Sequence, residues 1–159
     1  VWWRPNLWIV WDGSEGRKVS SCRSHIHFHP DVAVELDEDE DDLIKLQGST
    51  QRFSIRCFGQ DSMQLFKGVQ SPCQGWSSDK FGKLGKNSTL SLEVASSVPG
   101  RFGYVISSGA PVTSVQQSIR SGTRQLNFTY CDQEFSITCD GTTLKCKQGQ
   151  SEAVRNGIN

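Results

Sequence analysis

Hydrophobic and polar residues alternate along most of this chain, which is the pattern of β-strands with one buried face. Residues 52–58 show it most clearly: Phe53, Ile55 and Cys57 are expected to face inward, and Arg52, Ser54 and Arg56 outward. The pattern predicts strands at residues 7–11, 24–29, 32–36, 43–46, 51–58, 63–66, 89–94, 101–106, 125–130, 134–139 and 142–146. No segment sustains the helical period of about 3.6 residues. We therefore predict an all-β chain, an antiparallel β-sandwich of about ten to twelve short strands.

Turn-forming residues divide these strands without dividing the chain into domains. Asp140-Gly141 predicts a tight hairpin between the last two strands. Between Gly68 and Lys86 the alternation gives way to a stretch rich in glycine and serine, which predicts a long loop of the kind that is often functional. There is no internal repeat or linker, so we predict one domain over residues 1–159.

All three histidines occupy alternate positions in one predicted strand, at His25, His27 and His29. In a strand they share one face, while Ile26 and Phe28 share the other. Such a row can bind a metal, contact a substrate or partner, or lie half-exposed in solvent. Because the first and third positions are roughly 13 Å apart, at most two imidazoles, for which we name His25 and His27, can share a zinc or copper ion.

Six consecutive acidic residues, Asp37 to Asp42, follow the predicted strand at 32–36. Their mutual repulsion predicts a solvated loop between strands. Calcium binding is the alternative, although the run has neither the glycine nor the terminal glutamate of an EF-hand loop.

The cysteine count is even, and no Cys-x-x-Cys pair is present, which disfavours zinc fingers and thioredoxin-like redox motifs. We predict disulfides in an exported protein, with buried free thiols as the alternative. The candidates are Cys22, Cys57, Cys73, Cys131, Cys139 and Cys146, and their pairing stays open. Two N-glycosylation sequons begin at Asn87 and Asn127 and are acceptors only in a eukaryotic secretory pathway.

Charge and motifs narrow the function classes. Seventeen basic and seventeen acidic residues cancel, so we expect neither nucleic acid nor a membrane as partner. There is no nucleophile elbow, phosphate loop or dinucleotide fingerprint, so we expect no cofactor apart from the zinc or calcium considered above. Four of the five tryptophans fall in residues 2–11, where core packing is expected and stacking on sugars is the alternative. The chain begins without Met, directly in strand-like sequence, which suggests a processed product or part of a longer protein.

Several stretches in a fixed order resemble a known family. They are Trp8-Ile9-Val10-Trp11-Asp12-Gly13, His25-Ile26-His27-Phe28-His29-Pro30-Asp31-Val32, the Gly-Trp-Ser-Ser loop at 71–82, the strand at 89–94 and Pro99-Gly100-Arg101-Phe102. Together they are similar to motifs of the C-terminal β-domain in the heparinase II/III-like polysaccharide lyases. The resemblance covers roughly residues 1–107.

The resemblance implies a part of an enzyme that cleaves uronate-containing polysaccharide by β-elimination. In that family the catalytic groups come mainly from an α/α-toroid, with one histidine from the start of the β-region, and this sequence contains neither. It therefore implies a secreted or periplasmic, substrate-supporting domain that works with an upstream toroid and is not catalytic alone. The residues assigned to substrate contact are Trp76, Lys80, His25, His27 and His29.

Two features depart from the family pattern. Phe81 stands where the family often has Tyr, and the six cysteines have no counterpart in its motifs. The cysteines, together with the Trp76 loop, leave open a second interpretation, a secreted and disulfide-stabilised module that binds carbohydrate or protein.

Overall fold

The chain is all-β in the computed structural model, which describes residues 2–4, 6–13, 21–94, 101–140, 143–149 and 151–156. Every regular element in these residues is a strand, so the all-β prediction is confirmed. None of them forms a helix that is long and apolar enough to cross a membrane. The strands are β1 (Trp2–Arg4), β2 (Leu7–Gly13), β3 (Cys22–His27), β4 (Ala33–Leu36), β5 (Leu43–Gln47), β6 (Arg52–Phe58), β7 (Ser62–Lys67), β8 (Trp76–Lys80), β9 (Lys83–Lys86), β10 (Ser88–Val94), β11 (Arg101–Ser108), β12 (Thr113–Arg120), β13 (Thr123–Tyr130), β14 (Gln133–Cys139), β15 (Thr143–Gln148) and β16 (Ser151–Asn156).

The strands belong to two compact units, residues 1–109 and residues 110–159. The expectation of a single domain over residues 1–159 stays a prediction.

The first unit is a β-sandwich, as predicted. One sheet has six strands in the order β1-β2-β11-β6-β5-β4, and the other has three in the order β3-β10-β7. All described strand pairs in them are antiparallel. Apolar side chains from both sheets form one core, because alternate residues of each strand point toward the opposite sheet. Its buried members are Ile44, Leu46, Ile55, Cys57, Leu90, Leu92, Val94 and Phe102.

Strand β6 is buried on both faces, which corrects one prediction. Ile55 and Cys57 face the core as expected, but Ser54 and Arg56 are 5% and 4% exposed instead of facing solvent. Arg56 lies between Leu43 of β5 and Val105 of β11, its partners in the sheet, and both are buried. The outward face of this strand is therefore covered, as is the face that points into the core.

The segment predicted as one long loop at 68–86 contains a hairpin. Residues 68–75 form a tight loop, and β8 and β9 then pair as a two-stranded sheet. Gly75 makes the tight loop possible: its φ is +76°, and a Cβ there would lie 2.6 Å from the Gly68 nitrogen. The prediction missed the hairpin because its strands contain three lysines, one aspartate and one glycine, which strands disfavour, and no β-branched residue.

The second unit is an antiparallel sheet of five strands in sequence order, β12 to β16. Strands β13, β14 and β15 match the predicted strands, while β12 and β16 were not predicted. The predicted hairpin between β14 and β15 is confirmed by their antiparallel pairing, although Gly141 lies outside the described residues. Leu126, Phe128, Phe135 and Ile137 are buried on one face.

Candidate functional site

The outer face of the three-stranded sheet carries a small depression centred on Ser91. Ser91 of β10 lies opposite His25 of β3 and opposite Gln64 of β7. Its short side chain is 8% exposed, and the longer imidazole and amide on either side rise above it. The depression thus follows from a small residue on the central strand between two large polar residues on the outer strands.

A second row of the same face adds charge to this depression. Glu93 of β10 lies opposite Arg23 of β3 and opposite Ser62 of β7. The Arg23 Nη2 donates a hydrogen bond to Glu93 Oε1 at 3.1 Å, and the two side chains are 59% and 31% exposed. Because both side chains are partly exposed, both groups remain accessible to a ligand, and a pair of this kind contributes little to stability.

The tight loop at 68–75 closes one side of the depression. Its ends are held by hydrogen bonds between the Gly68 nitrogen and the Gly75 oxygen at 2.9 Å and between the Val69 nitrogen and the Gln74 oxygen at 2.8 Å. Pro72 and Gln74 then form a wall of a pocket of about 290 Å³, close to the lower limit of roughly 300 Å³ for ligand sites. The lining residues are Arg23, His25, Ser62, Gln64, Phe66, Pro72, Gln74, Ser91 and Glu93.

The three histidines do not form a single row, which corrects the prediction for His29. Strand β3 ends at His27, and His29 lies in a turn in which its oxygen accepts a hydrogen bond from the Val32 nitrogen at 3.0 Å. His29 Nδ1 lies 3.6 Å from Asp31 Oδ2, and the imidazole is 71% exposed. The predicted shared face holds for His25 and His27, which are both exposed with ring centroids 6.5 Å apart.

Of these three, only His25 is among the residues that line the pocket. His27 shares a hydrogen bond with the hydroxyl of Thr89, its partner on β10, at 3.0 Å between Nδ1 and Oγ1. This bond fixes the His27 ring beside the pocket and leaves Nε2 as its other polar atom.

Trp76 and Lys80, the remaining candidates for substrate contact, lie on the β8–β9 hairpin and do not line the pocket. The Trp76 indole donates a hydrogen bond to the Val69 oxygen at 2.8 Å, so it fastens the tight loop that forms the pocket wall. Lys80 lies opposite Lys83 at the exposed end of the hairpin, next to the fully exposed Phe81. Trp76 therefore supports the pocket wall without lining the pocket, and Lys80 is not part of the pocket.

Two of the six acidic residues pair with a buried cation, which the solvated-loop prediction did not anticipate. Arg56 Nη1 donates hydrogen bonds to Glu40 Oε2 at 2.7 Å and to Asp42 Oδ1 at 2.5 Å. The hydrogen bond from Arg56 lowers the pKa of Glu40. The position of the run between two strands, β4 and β5, agrees with the prediction.

The start of the acidic run is held as well. Asp37 pairs with Lys45 at 2.5 Å and is 8% exposed in its side chain. Its Oδ1 also accepts hydrogen bonds from the backbone nitrogens of Asp39 and Glu40. The hydrogen bond with Lys45 is the main cause that lowers the pKa of Asp37, and the same contact raises the pKa of Lys45. The loop is therefore an ordered turn in which two cations pair with three of the six carboxylates.

In the part of the chain that the structure describes, no group of three or more His, Cys, Asp or Glu side chains could hold a metal ion. His25 and His27 thus have no third ligand of these types among the described residues. The acidic run likewise forms no group of three such side chains that could hold calcium. Zinc or calcium binding stays a prediction from the sequence.

The cysteines are free thiols in the structure, which differs from the disulfide prediction. Cys22 and Cys57 both contribute to the sandwich core from opposite sheets, and packed sheets are about 10 Å apart. Cys139 and Cys146 are diagonal neighbours on β14 and β15, about 7–8 Å apart, whereas a disulfide needs Cα atoms within about 7 Å. Burial raises the pKa of the Cys57 thiol to about 12. The remaining candidates are Cys73 and Cys131, both exposed.

Sequence reasoning missed most of the pocket. Arg23, Gln64 and Glu93 come from three strands that are far apart along the chain, and they meet only through the pairing of β10 with β3 and β7. The available signal was the alternation itself, because Arg23 lies two positions before His25 and therefore shares its face.

Comparisons of this chain with protein-family models, with curated proteins and with solved structures gave no match.

Proposed function

We propose that this chain is the substrate-contacting β-sandwich of a heparinase II/III-like polysaccharide lyase. In this proposal the pocket around Ser91 binds a uronate-containing polysaccharide, and an upstream α/α-toroid carries out the β-elimination in a secreted or periplasmic enzyme. The observation that supports the proposal is the pocket itself, in which His25 of the family-like motif lies beside Arg23 on the same face of β3.

The lining groups suit an acidic sugar. An arginine has five N–H donors in a planar fork that matches a carboxylate, so Arg23 can bind a uronate carboxylate and keep its bond to Glu93. The amides of Gln64 and Gln74 can donate to and accept from sugar hydroxyls. Phe66, at the edge of the pocket, supplies an apolar surface for a sugar ring.

The proposed role is binding without turnover. β-Elimination needs a base beside the uronate carboxylate, a group that neutralises that carboxylate, and an acid for the leaving oxygen. We assign the base and the acid to the toroid. The role assigned to this chain is to align the polysaccharide.

The test measures the affinity of the chain for heparan sulfate, chondroitin, hyaluronan and alginate by titration calorimetry, with ultraviolet absorbance of unsaturated uronate ends as the readout of turnover. We expect binding to at least one of them and no turnover. His25→Ala and Gln64→Ala each remove one hydrogen-bonding group, so each should weaken binding by about tenfold.

His29→Ala is the matched control, because it removes the same type of side chain from a position outside the pocket. It should leave the affinity unchanged. The proposal fails if none of the four polymers binds, if His29→Ala weakens binding as much as His25→Ala, or if the chain alone produces unsaturated uronate.

A further inference from the structure

The second unit has a polar sheet face with side chains aligned across four strands. Gln116 of β12 lies opposite Asn127 of β13, Asn127 opposite Ser136 of β14, and Ser136 opposite Lys147 of β15. Residues directly opposite one another share a face, so these four side chains form one row on the face opposite to the buried Phe128. Neighbouring members lie about 4.8 Å apart, the spacing of strands.

This row lines a cavity of about 450 Å³, which is within the range of roughly 300–1,000 Å³ for ligand sites. The register of β12 against β13 shifts between Thr113 and Gln116, and Ser114 within that shift has a φ of 54°. Such a bulge bends a strand and redirects its side chains, and bulges are frequent beside binding sites. The cavity is lined by Ser114, Gln116, Asn127, Phe128, Thr129, Glu134, Phe135, Ser136, Lys147 and Gly149.

The centre of the row is held in place by its neighbours. Gln125 Nε2 donates hydrogen bonds to Asn127 Oδ1 and to Ser136 Oγ, each at 3.1 Å. The accepted bond fixes which end of the Asn127 amide is the oxygen and directs its Nδ2 donor group to the other side. A polar group that is ordered before the ligand arrives loses little entropy on binding.

The composition of the cavity points to a neutral, hydroxyl-rich ligand. Its charged members are one cation, Lys147, and one carboxylate, Glu134, so it offers no net charge, and unlike the pocket in the first unit it has neither an arginine nor a histidine to bind a carboxylate. Its two aromatic members, Phe128 and Phe135, belong to the opposite face of the sheet and are 2% and 3% exposed, so they offer almost no apolar surface. Apart from Gly149, what remains are amides and hydroxyls, each able to donate and to accept hydrogen bonds as sugar hydroxyls require.

We propose that this face of the second unit binds a neutral glycan chain that lies across strands β12 to β15. The strand spacing of about 4.8 Å is comparable to the length of one pyranose unit, so successive sugars can meet successive members of the row. The inference rests on this cavity alone and does not depend on the function proposed for the first unit.

The test uses the full chain produced in a bacterial host, so that the sequon at Asn127 stays unmodified. Neutral hexasaccharides of β-1,4-glucan, β-1,4-mannan and α-1,4-glucan are titrated by calorimetry, with uronate hexasaccharides alongside. We expect at least one neutral hexasaccharide to bind, and Asn127→Ala and Gln116→Ala each to weaken it by about tenfold, as expected for one lost hydrogen bond. Circular dichroism verifies that each variant keeps its fold, and the exposed Gln116 gives a second variant should Asn127→Ala fail to fold.

Two controls separate this site from the pocket in the first unit. Gln51→Ala removes an exposed amide that lines neither pocket, and it should leave neutral-glycan binding unchanged, as should His25→Ala. The proposal is overturned if no neutral hexasaccharide binds, if only uronate hexasaccharides bind, or if His25→Ala weakens neutral-glycan binding while Gln116→Ala does not. Loss of uronate binding in His25→Ala with intact neutral-glycan binding supports both proposals.

Discussion

Removing the negative charges beside the buried Arg56 should destabilise the fold. The double variant Glu40→Gln/Asp42→Asn removes both charges with little change in the shape of the two side chains. The Arg56 side chain is 4% exposed, whereas Glu40 and Asp42 are 48% and 41% exposed. The substitutions remove both of these charges from the guanidinium, which stays buried between Leu43 and Val105.

The structure sets the size of the effect. Removing one partner of a fully buried ion pair costs about 3–5 kcal/mol. Both carboxylates here are more than a third exposed, and solvent weakens their interaction with Arg56. We therefore expect the double variant to lose about 2 kcal/mol of unfolding free energy, and each single variant about half of that, because the other carboxylate still pairs with Arg56.

Urea denaturation as a function of pH measures this loss. The pKa of Glu40 is lowered in the folded state below its ordinary value of 4.5. A carboxyl with a lowered pKa stabilises the fold above its unfolded-state pKa, and the stabilisation disappears as the pH falls through the folded-state pKa. The difference between the native chain and the double variant should thus be full at pH 7 and should shrink as the pH falls below 4.5.

Asp41→Asn is the matched control, because Asp41 belongs to the same acidic run but makes no ion pair with Arg56. It should be neutral or slightly stabilising, since it removes one charge from a run of like charges. The reasoning is refuted if the double variant loses no more stability at pH 7 than Asp41→Asn, or if its loss is the same at pH 7 and below pH 4.

Three further changes test the rest of the structure. Gly103→Ala should cost about 3 kcal/mol, the upper range for overpacking, since its Cβ would lie 2.2 Å from the Val10 oxygen; an unchanged melting temperature would contradict this. In thiol labelling at pH 8, the exposed Cys73 should react well before Cys57, whose burial raises its pKa to about 12; equal rates would show that Cys57 is accessible. Asn87 is 4% exposed and donates to the Phe28 oxygen at 3.0 Å, so folded protein secreted from eukaryotic cells should carry no glycan there, and its detection by mass spectrometry would refute the buried position.

Alternation along the chain was sufficient to predict most strands of the sandwich, because it reports one buried and one exposed face for each strand. It failed where that premise fails. Alternation placed Arg56 on an exposed face of β6, whereas both faces of this strand are buried. In β12 neither face is strongly apolar, and its sequence Thr-Ser-Val-Gln-Gln-Ser-Ile-Arg gives no clear signal.

The candidate site depends on register, which the sequence does not specify locally. The prediction that His25 and His27 share a face needed only the period of a strand. The neighbours of His25 across the sheet, Ser91 and Gln64, are set by the pairing of β10 with β3 and β7. His29 was misplaced because the strand ends before it, at His27.

The measurement that tests the central claim most directly is the change in amide NMR signals when a uronate hexasaccharide is added to the isotope-labelled chain. Binding in the pocket of the three-stranded sheet predicts the largest shifts at Arg23, His25, Gln64 and Ser91. Shifts confined to the β8–β9 hairpin around Lys80, or no shifts at saturating hexasaccharide, would contradict it.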